Sequence, residues 1–599
     1  MATGRRTNYL TDTLSRMDIL YFEGVNLFVA NNLCKKEEFT FAINARSTEI
    51  GTVETRGGSK RIGNDISATA NSGITFFDHR VSGNTGFYRI STVGGIVNPY
   101  YLSTANPAIW TKINTALTAD LFSFAIAENC LFMINGNSNN CYIPGSTGNT
   151  IIDSTSSSGH LYGSPKAKKI NYYKEKLYVA DYTDSGGTRY PNGVMMSSTV
   201  LGVMALVDGD FASGVLTIKI TDTKFVRSSD SLDIYRAGVK ITTLSVTSKT
   251  EDSIVVSSNP GVLASDEVWP ANTYTGDRKF RWPNNAASGE NCKEYSTFKI
   301  SGGQSDRIRM LTNVGNVQLI ANSRNIAVWD NASLQNLDNG IGCVSDRGYT
   351  KADNAVFFLG YKGVYKTTGG VPECISAKVQ PLIDGATRAG LEAATMGAKG
   401  DSVLCYIGTS TLYNSDGSTN EVLPNVMLEM NTRTLNWFVH VGVTPTQFET
   451  YTGGSTPDSL LFSSGVTGCH IFEYLTNDMV DDIAGDEKEI LFRVDTAKLP
   501  VAPSFDQFGY VHQLLIGMER GAGATCWVSF DDEPFYELEG KVVKGVTTVD
   551  IRGKRKEEDS PVRCHRVKIS IRNFSKQKCK LAQLAIRFDG TDETESKKK

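Results

Sequence analysis

The residues best suited to metal chemistry in this chain are two pairs of neighbouring cysteine and histidine. Six histidines are spread singly over the 599 residues, and two of them directly follow a cysteine, as Cys469-His470 and Cys564-His565. A zinc site needs about four ligands that converge on one point, whereas neighbours in a strand point to opposite faces. We therefore interpret both pairs as structural residues.

Clusters of carboxylates are the second feature that could do chemistry. Asp531, Asp532 and Glu533 follow a predicted strand, and Asp481-Asp482 lies in a polar segment. A glycosidase needs two carboxyl groups on opposite sides of a sugar, and a propeller would supply them from different blades, which spacing alone does not reveal. We interpret both clusters as solvated turn residues.

Two polar turns offer oxygen atoms to a calcium ion. They contain Asp330, Asp338 and Asn339 in one case, and Asn414, Asp416 and Asn420 in the other. Neither fits the EF-hand loop, and the chain has no H-E-x-x-H, Walker A or G-x-S-x-G motif and no well-formed dinucleotide fingerprint. We therefore assign no catalytic residue, no cofactor-binding residue and no metal ligand, and we predict that the chain is not an enzyme.

Aromatic residues could form a platform for sugars or bases. Four of them fall in the second strand of their predicted hairpins, where a large side chain fills the wedge between sheets: Trp329, Trp437, Phe438 and Tyr474. We interpret these four as core. One basic and aromatic cluster is retained as a contact site, with a solvated edge strand as the alternative: Arg278, Lys279, Phe280, Arg281 and Trp282.

The elements that would position such residues are recurring hairpins. A short apolar run, a turn and a second run containing an aromatic residue occur at 171–181, 317–329, 355–365, 425–438 and 459–474. A radial repeat of small antiparallel sheets leaves this pattern in a sequence. The chain is therefore predicted to be all-β: a β-propeller with an inserted small β-barrel or sandwich module and a C-terminal β-sandwich domain.

The patterning divides the chain into six regions. Leu10, Leu14, Met17 and Tyr21 recur at helical spacing, whereas strict alternation marks strands in the insertion and near the end. The predicted regions are an N-terminal arm or helix (1–35), the first part of the propeller (36–204), the inserted β module (205–275), the second part of the propeller (276–489), the C-terminal β domain (490–590) and a disordered tail (591–599).

The bulk composition excludes several classes of protein. With a formal net charge of -3, the chain lacks the strongly basic surface that holds nucleic acid tightly. No run of 18 apolar residues occurs, so no membrane span is predicted. Eleven cysteines without a C-x-x-C motif argue against a disulfide framework and indicate a reducing cytoplasm.

Three segments resemble the β-propeller tail proteins of short-tailed bacteriophages, called tail hub, nozzle or tail tubular protein B. The first contains Asn44, Ala45, Arg46, Gly51, Arg56, Gly57 and Gly58, with Gly57 where that family usually has proline. The second is residues 348–370 with the following Cys374, Ile375 and Ser376, and the third contains Phe508, Gly509, Ser529, Phe530, Asp531 and Asp532.

This resemblance implies a structural virion protein without cofactors. It would form a ring-shaped homo-oligomer, a hexamer in the family, that conducts and gates double-stranded DNA through its lumen. Its partners would be portal-adaptor proteins and tail fibres or spikes, and it would assemble in the host bacterial cytoplasm before joining the virion. Two alternatives stay open: a propeller enzyme that degrades polysaccharide, and a monomeric receptor-binding adhesin.

Overall fold

A computed structural model shows that the chain is built almost wholly from β-strands. In the part of the chain that it describes, no helix is long and apolar enough to cross a membrane. The structure describes residues 15–590 except 31–32, 79–82, 106, 114, 147–148, 156–159, 162–163, 185, 199–203, 224–225, 227, 229, 271–279, 281, 283–296, 303–305, 339, 414–418, 452–458, 467, 484–485, 503–507, 522 and 552–561.

From residue 15 onward, the described part of the N-terminal region contains strands where the sequence predicted an arm or helix. Five strands precede the first complete blade: β1 (Ser15–Ile19), β2 (Phe39–Ile43), β3 (Ala45–Arg46), β4 (Val53–Thr55) and β5 (Ser59–Ile62). The predicted helix is wrong for residues 15–19, because β1 pairs antiparallel with the last strand, with Ser15 opposite Phe588, whereas Leu10 and Leu14 lie outside the described residues. Met17 and Ile19, two residues apart, pack on the same apolar core, which is the period of a strand.

Small antiparallel sheets follow one another along the chain. Blade one consists of β6 (Ala70–Phe76), β7 (Asn84–Val93), β8 (Ile96–Ser103) and β9 (Trp110–Lys112), and blade two of β10 (Ser123–Ala127), β11 (Cys130–Ile134), β12 (Cys141–Pro144) and β13 (Ile152–Asp153). Blade three begins with β14 (Lys166–Tyr173), β15 (Lys176–Thr183) and β16 (Arg189–Met196). It is interrupted by the insertion described below.

The insertion is a small barrel. Its strands are β17 (Ala205–Leu206), β18 (Thr217–Lys219), β19 (Ser231–Arg236), β20 (Val239–Lys249), β21 (Ser253–Val256) and β22 (Glu267–Pro270). They pair in the order β17-β22-β19-β20-β21-β18, and a bridge between Val207 and Ile220 joins the two ends. Leu232, Leu244 and Val246 lie in its own apolar core. The predicted small β module is confirmed, and of its two predicted forms, barrel or sandwich, it has the barrel form.

The rest of blade three and the remaining blades follow the insertion along the chain. The strand β23 (Thr297–Lys299) pairs with β16 and completes blade three. Blade four consists of β24 (Met310–Val314), β25 (Val317–Ala321), β26 (Ile326–Trp329) and β27 (Leu334–Asp338), and blade five of β28 (Tyr349–Ala352), β29 (Ala355–Gly360), β30 (Gly363–Thr367) and β31 (Glu373–Cys374). A 3-10 turn at Ala377–Val379 and two short helices, α1 (Gln380–Asp384) and α2 (Arg388–Glu392), come next.

Blade seven is closed by a strand from the other end of the chain. Blade six consists of β32 (Thr395–Lys399), β33 (Ser402–Tyr413), β34 (Thr419–Asn431) and β35 (Trp437–His440), and blade seven begins with β36 (Pro445–Tyr451), β37 (Ser459–Ser464) and β38 (Ile471–Tyr474). The fourth strand of blade seven is β5, in which Ser59 lies opposite Tyr474. A hairpin of β39 (Val480–Ile483) and β40 (Asp486–Glu489) extends this sheet.

An apolar cluster fills each wedge between neighbouring blades. Within the described residues seven such clusters complete a ring, and each fully buried large side chain contributes about 1.5–3 kcal/mol. In order from the wedge between blades one and two, they contain Leu131, Phe132, Tyr178, Phe358, Phe357, Phe462 and Trp110. The main body of the chain is therefore a seven-bladed β-propeller.

The predicted aromatic core residues lie mainly in these wedges. Trp329, Trp437 and Tyr474 are buried between blades, as predicted. Phe438 is also buried, but it packs on the core of the C-terminal domain.

Both ends of the chain build the C-terminal sandwich. Its later strands are β41 (Phe492–Thr496), β42 (Leu499–Pro500), β43 (Gly509–Arg520), β44 (Ala524–Phe530), β45 (Tyr536–Val542), β46 (Gly545–Asp550), β47 (Val562–Cys564), β48 (Arg566–Asn573) and β49 (Lys580–Gly590). One sheet contains β1, β3 and β4, the other contains β2, and one apolar core lies between them. The assignment of 36–204 to the propeller is therefore wrong for β2, β3 and β4, because their strand partners lie hundreds of residues later in the chain.

Arg56 lies where the chain passes from the sandwich into the propeller, between β4 and β5. Its guanidinium is fully buried and pairs with both carboxylate oxygens of Asp481, with Nη1 lying 2.9 Å from Oδ1. It also donates to Oδ1 of Asn44 at 2.9 Å and to the carbonyl of Val441 at 3.1 Å. The prediction that Asp481 is a solvated turn residue is wrong, because its partner comes from a distant segment.

Replacing Arg56 with alanine should lower the free energy of unfolding by about 3–5 kcal/mol, since Asp481 would be left buried without its partner. The measurement is urea denaturation followed by circular dichroism. Arg433→Ala is the matched control, because Arg433 forms an exposed pair with Asp401 and exposed pairs contribute little. Equal stability of the two variants would contradict the central role of Arg56.

Candidate functional site

A cavity lies on the axis of the propeller. It has a volume of about 370 Å³ and receives residues from all seven blades. In blade order these include Phe76, Phe124, Lys168, Arg307, Tyr349, Thr395 and Glu449. A second cavity of about 460 Å³ shares Leu121, Asp346 and Arg347 with the first. The axis is thus hollow, and it is lined by the inner strand of each blade or by the residues just before that strand.

An ion-pair cluster joins three blades at this cavity. Asp346, just before the inner strand of blade five, accepts from Nη1 of Arg307 at 2.7 Å, and Nη2 of Arg307 donates to the other carboxylate oxygen. Nζ of Lys169, on blade three, lies 3.2 Å from Oδ1 of Asp346. Burial alone would raise the pKa of Asp346, but Lys169 and Arg307 outweigh it and hold that pKa well below its usual range. Asp346 is therefore ionised at neutral pH.

Glu449 has the opposite protonation behaviour. On β36 it accepts a hydrogen bond from the backbone N–H of Phe76, on blade one, at 3.2 Å. Burial raises the pKa of Glu449 to about 7, and that hydrogen bond only partly offsets the effect. Gln447, two residues earlier, also bonds to blade one, through the N–H and the carbonyl of Ile74 at 3.0 and 2.8 Å. The Glu449 carboxyl group is thus held in place by the inner strand of blade one and carries a proton over much of the neutral range.

Asp120 supplies a third carboxyl group to the cavity. Its Oδ2 accepts from Nζ of Lys168 at 3.0 Å and from the amide of Asn137 at 2.9 Å. Its Oδ1 accepts from the backbone N–H of Leu121 at 2.7 Å. Asp120 is only half-buried, so water and ligands in the cavity have access to it.

Arg347 crosses the cavity and bonds to backbone carbonyl groups on two other blades. Its Nη1 donates to the carbonyl of Thr446, on blade seven, at 3.0 Å, and its Nη2 donates to the carbonyl of Ser72, on blade one, at 2.6 Å. Burial lowers the pKa of Arg347 to about 10, against the opposing charges of Asp346 and Asp120. Within the described residues, the hydrogen bonds of this guanidinium go to carbonyl groups and not to a carboxylate.

The axial residues were not found from the sequence. Asp120, Arg307 and Asp346 each stand three residues before the inner strand of their blade. A charge repeated at that position is a signal that an alignment of the blades against one another would have revealed. Spacing along the whole chain does not show it, because the insertion interrupts the repeat.

The sequence candidates are not brought together at this cavity. Cys564 lies in the sandwich core while His565 faces Asp531, so this pair points to opposite sides as predicted. Asp531 and Asp532 have positive φ values of 42° and 72° and form a turn. Among the described residues, no group of three or more histidine, cysteine, aspartate or glutamate side chains is arranged to hold a metal ion.

The remaining candidates are turns, core residues or undescribed. Asp330 accepts from the backbone N–H groups of Ala332 and Ser333, as a turn residue does. Asn339, Asn414, Asp416, Arg278, Lys279 and Arg281 lie outside the described residues. Phe280 and Trp282 are buried between blades two and three, so the predicted contact site is wrong for its aromatic members.

No protein-family model and no curated protein matches the chain. Similar solved structures include an exo-β-1,3-galactanase from Phanerochaete chrysosporium, with 10% identity, 88% of this chain and 100% of that chain covered and a TM-score of 0.20. A fructofuranosidase from Schwanniomyces occidentalis has 7% identity, 90% and 97% coverage and a TM-score of 0.21. AztD from Citrobacter koseri has 9% identity, 60% and 88% coverage and a TM-score of 0.23.

These comparisons correct one prediction. Two of the three structures are glycoside hydrolases, which contradicts the prediction that the chain is not an enzyme. At these TM-scores the likeness carries no argument about the reaction, so any activity has to be argued from the residues of the cavity.

Stability should depend on pH through Glu449. Its pKa is raised in the folded protein, so between about pH 5 and pH 7 the folded chain keeps a proton that the unfolded chain has released, and stability falls as pH rises. Glu449→Gln should therefore stabilise the protein at pH 8 and change it little at pH 4. Urea unfolding at both values measures this difference, with the exposed Glu373→Gln as control. A Glu449→Gln effect that is the same at both pH values would contradict the assignment.

Proposed function

We propose that the axial cavity binds a polysaccharide and hydrolyses one of its glycosidic bonds. The observation that carries this proposal is the pair of carboxyl groups with opposite protonation, Glu449 and Asp346, in one cavity. Environments that push two pKa values apart are how one site supplies both an acid and an anion at neutral pH. The volume of about 370 Å³ lies within the usual range for ligand pockets.

The roles follow from the contacts of each carboxyl group. Glu449 would donate its proton to the oxygen of the leaving sugar as the glycosidic C–O bond breaks. A water molecule would attack the anomeric carbon and lose a proton to Asp120, which is accessible in the cavity. Asp346, whose two oxygens are held by Arg307 and Lys169, would stay in place and stabilise the positive charge that develops on the sugar ring.

Glu449→Gln should lower the rate of hydrolysis by about 10²- to 10⁴-fold, the usual contribution of a general acid. The assay measures new reducing ends after purified protein is incubated with neutral and acidic polysaccharides. Wild-type activity should fall as pH rises through about 7, where Glu449 loses its proton. Glu473→Gln, in the same blade but outside the cavity, is the control and should keep full activity. An active Glu449→Gln variant, or a wild type that cleaves nothing, would refute the proposal.

A second candidate function concerns a different part of the molecule. We propose that the chain is a subunit of a ring in the tail of a short-tailed bacteriophage, as the sequence resemblance implies. The specific observation in its favour is an exposed apolar face beside β1, where Leu20 is 64% exposed and Ile50 is 93% exposed. Tyr21 lies next to Gly51, since a Cβ on Gly51 would be 3.2 Å from that of Tyr21, so these residues are neighbours.

Contiguous exposed apolar patches are typical of sites where proteins bind one another. When a patch on one copy contacts a different surface on the next copy, the copies form a closed ring if the rotation between neighbours brings the last copy into contact with the first. In that ring the lumen would be formed between copies, separate from the axial cavity of each propeller. The net charge of -3 suits a wall past which DNA slides, because such a wall does not hold a polyanion.

Leu20→Asp combined with Ile50→Asp should dissociate the ring into monomers, because two charges would have to be buried in the interface. Negative-stain images and light scattering of the purified protein measure assembly. Val371→Asp is the control, since Val371 is also exposed but lies outside this face. A wild type that stays monomeric at micromolar concentration would refute the ring and leave the hydrolase proposal intact.

A further inference from the structure

The axial cavity carries more positive than negative side chains. Four cations line it, Lys168, Lys169, Arg307 and Arg347, against the three carboxyl groups Asp120, Asp346 and Glu449. The ion pairs described above use Asp120 for Lys168 and Asp346 for both Lys169 and Arg307. Among the residues that the structure describes, Arg347 has no such partner, and Glu449 adds no negative charge while it is protonated. The cavity therefore has a net positive charge at and below neutral pH.

The uncompensated charge lies inside the cavity and not on the outer surface. Arg347 contacts both axial cavities, and its two hydrogen bonds go to carbonyl groups that leave its charge unneutralised. A guanidinium presents several N–H donors in a plane that suits a carboxylate. Charges in a low-dielectric, narrow site act more strongly than the same charges in water. An anionic ligand would gain from this field, whereas a neutral one would not.

The cavity also contains an unused hydroxyl group. Thr395 is fully buried at the start of β32 and lines the cavity, yet its Oγ1 has no hydrogen-bond partner within the described residues. A buried hydroxyl without a partner is unfavourable because it has lost its hydrogen bonds to water. A ligand oxygen would supply that partner. Sugars carry hydroxyl groups that can both donate and accept, so they fit this need.

We infer that the sugar bound in the axial cavity carries a carboxylate, so that the substrate is an acidic polysaccharide containing uronic acid. This inference rests on the proposed hydrolase function and names its substrate class. Arg347 and Lys168 would take the uronate carboxylate, and Thr395 would contact a sugar hydroxyl. The Arg347 guanidinium is planar, and the N–H groups that do not bond to the carbonyls of Thr446 and Ser72 can donate to the oxygens of a carboxylate.

The test compares an oligomer of galacturonic acid with its methyl ester, in which each carboxylate loses its charge and gains one methyl group. Calorimetry with the full chain should show the acid bound about tenfold or more tightly than the ester, which corresponds to one charge-assisted hydrogen bond. Added salt should weaken binding of the acid and leave the ester unaffected. Equal affinity for the two oligomers, or tighter binding of the ester, would overturn the inference.

Variants identify the residues that produce the preference for the acid over the ester. Lys168→Gln should reduce the preference for the acid several-fold, whereas Lys166→Gln, on the same strand but outside the cavity, should preserve it. Arg347→Gln should abolish the preference, and Lys168→Gln keeps the test valid if the loss of the Arg347 contacts prevents folding. A preference unchanged in Lys168→Gln and in a folded Arg347→Gln would overturn the inference.

The inference and the proposed function fail in different ways. Glu449-dependent cleavage of the neutral ester without preference for the acid would overturn the inference and support hydrolysis. Selective binding of the acid without cleavage would support the inference about the ligand and overturn the hydrolase. Failure to bind either oligomer would overturn the inference.

Discussion

The buried pair of Arg56 and Asp481 joins the two large parts of this protein. Arg56 follows the last sandwich strand of the N-terminal region, and β5 begins three residues later as the closing strand of blade seven. A buried charge is tolerated only when it is paired and hydrogen-bonded, so the chain can pass this point in one arrangement only. Glycines complete the constraint, because a Cβ on Gly57 would lie 2.1 Å from the carbonyl oxygen of Thr476 and one on Gly58 would lie 1.9 Å from that of Val480. The ion pair of Arg56 and Asp481 thus fixes both the orientation of the sandwich and the closure of the seven-bladed propeller.

The axis is organised by charge, while the wedges are organised by apolar packing. Each wedge cluster joins only two neighbouring blades, but Lys169, Arg307 and Asp346 connect three, and Arg347 reaches two more. These contacts fix the side chains around the cavity before any ligand arrives. A site held in this way needs little rearrangement to bind a ligand, which favours both affinity and electrostatic stabilisation of a reacting group.

The hairpin pattern was sufficient to predict the propeller, because each blade carries its own alternating apolar strands and its own turns. Strands whose partners are distant were not predictable in the same way. Met17 and Tyr21 suggested a helix because only the pairing of β1 with β49 reveals the true period. Asp481 was read as a solvated residue since nothing near it in the chain shows that Arg56 covers it. Asp346 and Glu449 lie at one cavity only when the blades are closed around one axis, so the sequence does not show that they belong together.

The pairing of β5 with blade seven also constrains the order in which the protein can fold during its synthesis. Asp481 follows Arg56 by 425 residues, and ribosomes add roughly 5–20 residues per second. β5 therefore waits on the order of tens of seconds for the rest of blade seven, and β1 waits longer still for β49. Throughout that interval they are unpaired edges, which are templates for pairing with other chains. Synthesis of this protein thus includes a period in which its first strands are exposed edges prone to aggregation, and that period ends only when β49 leaves the ribosome.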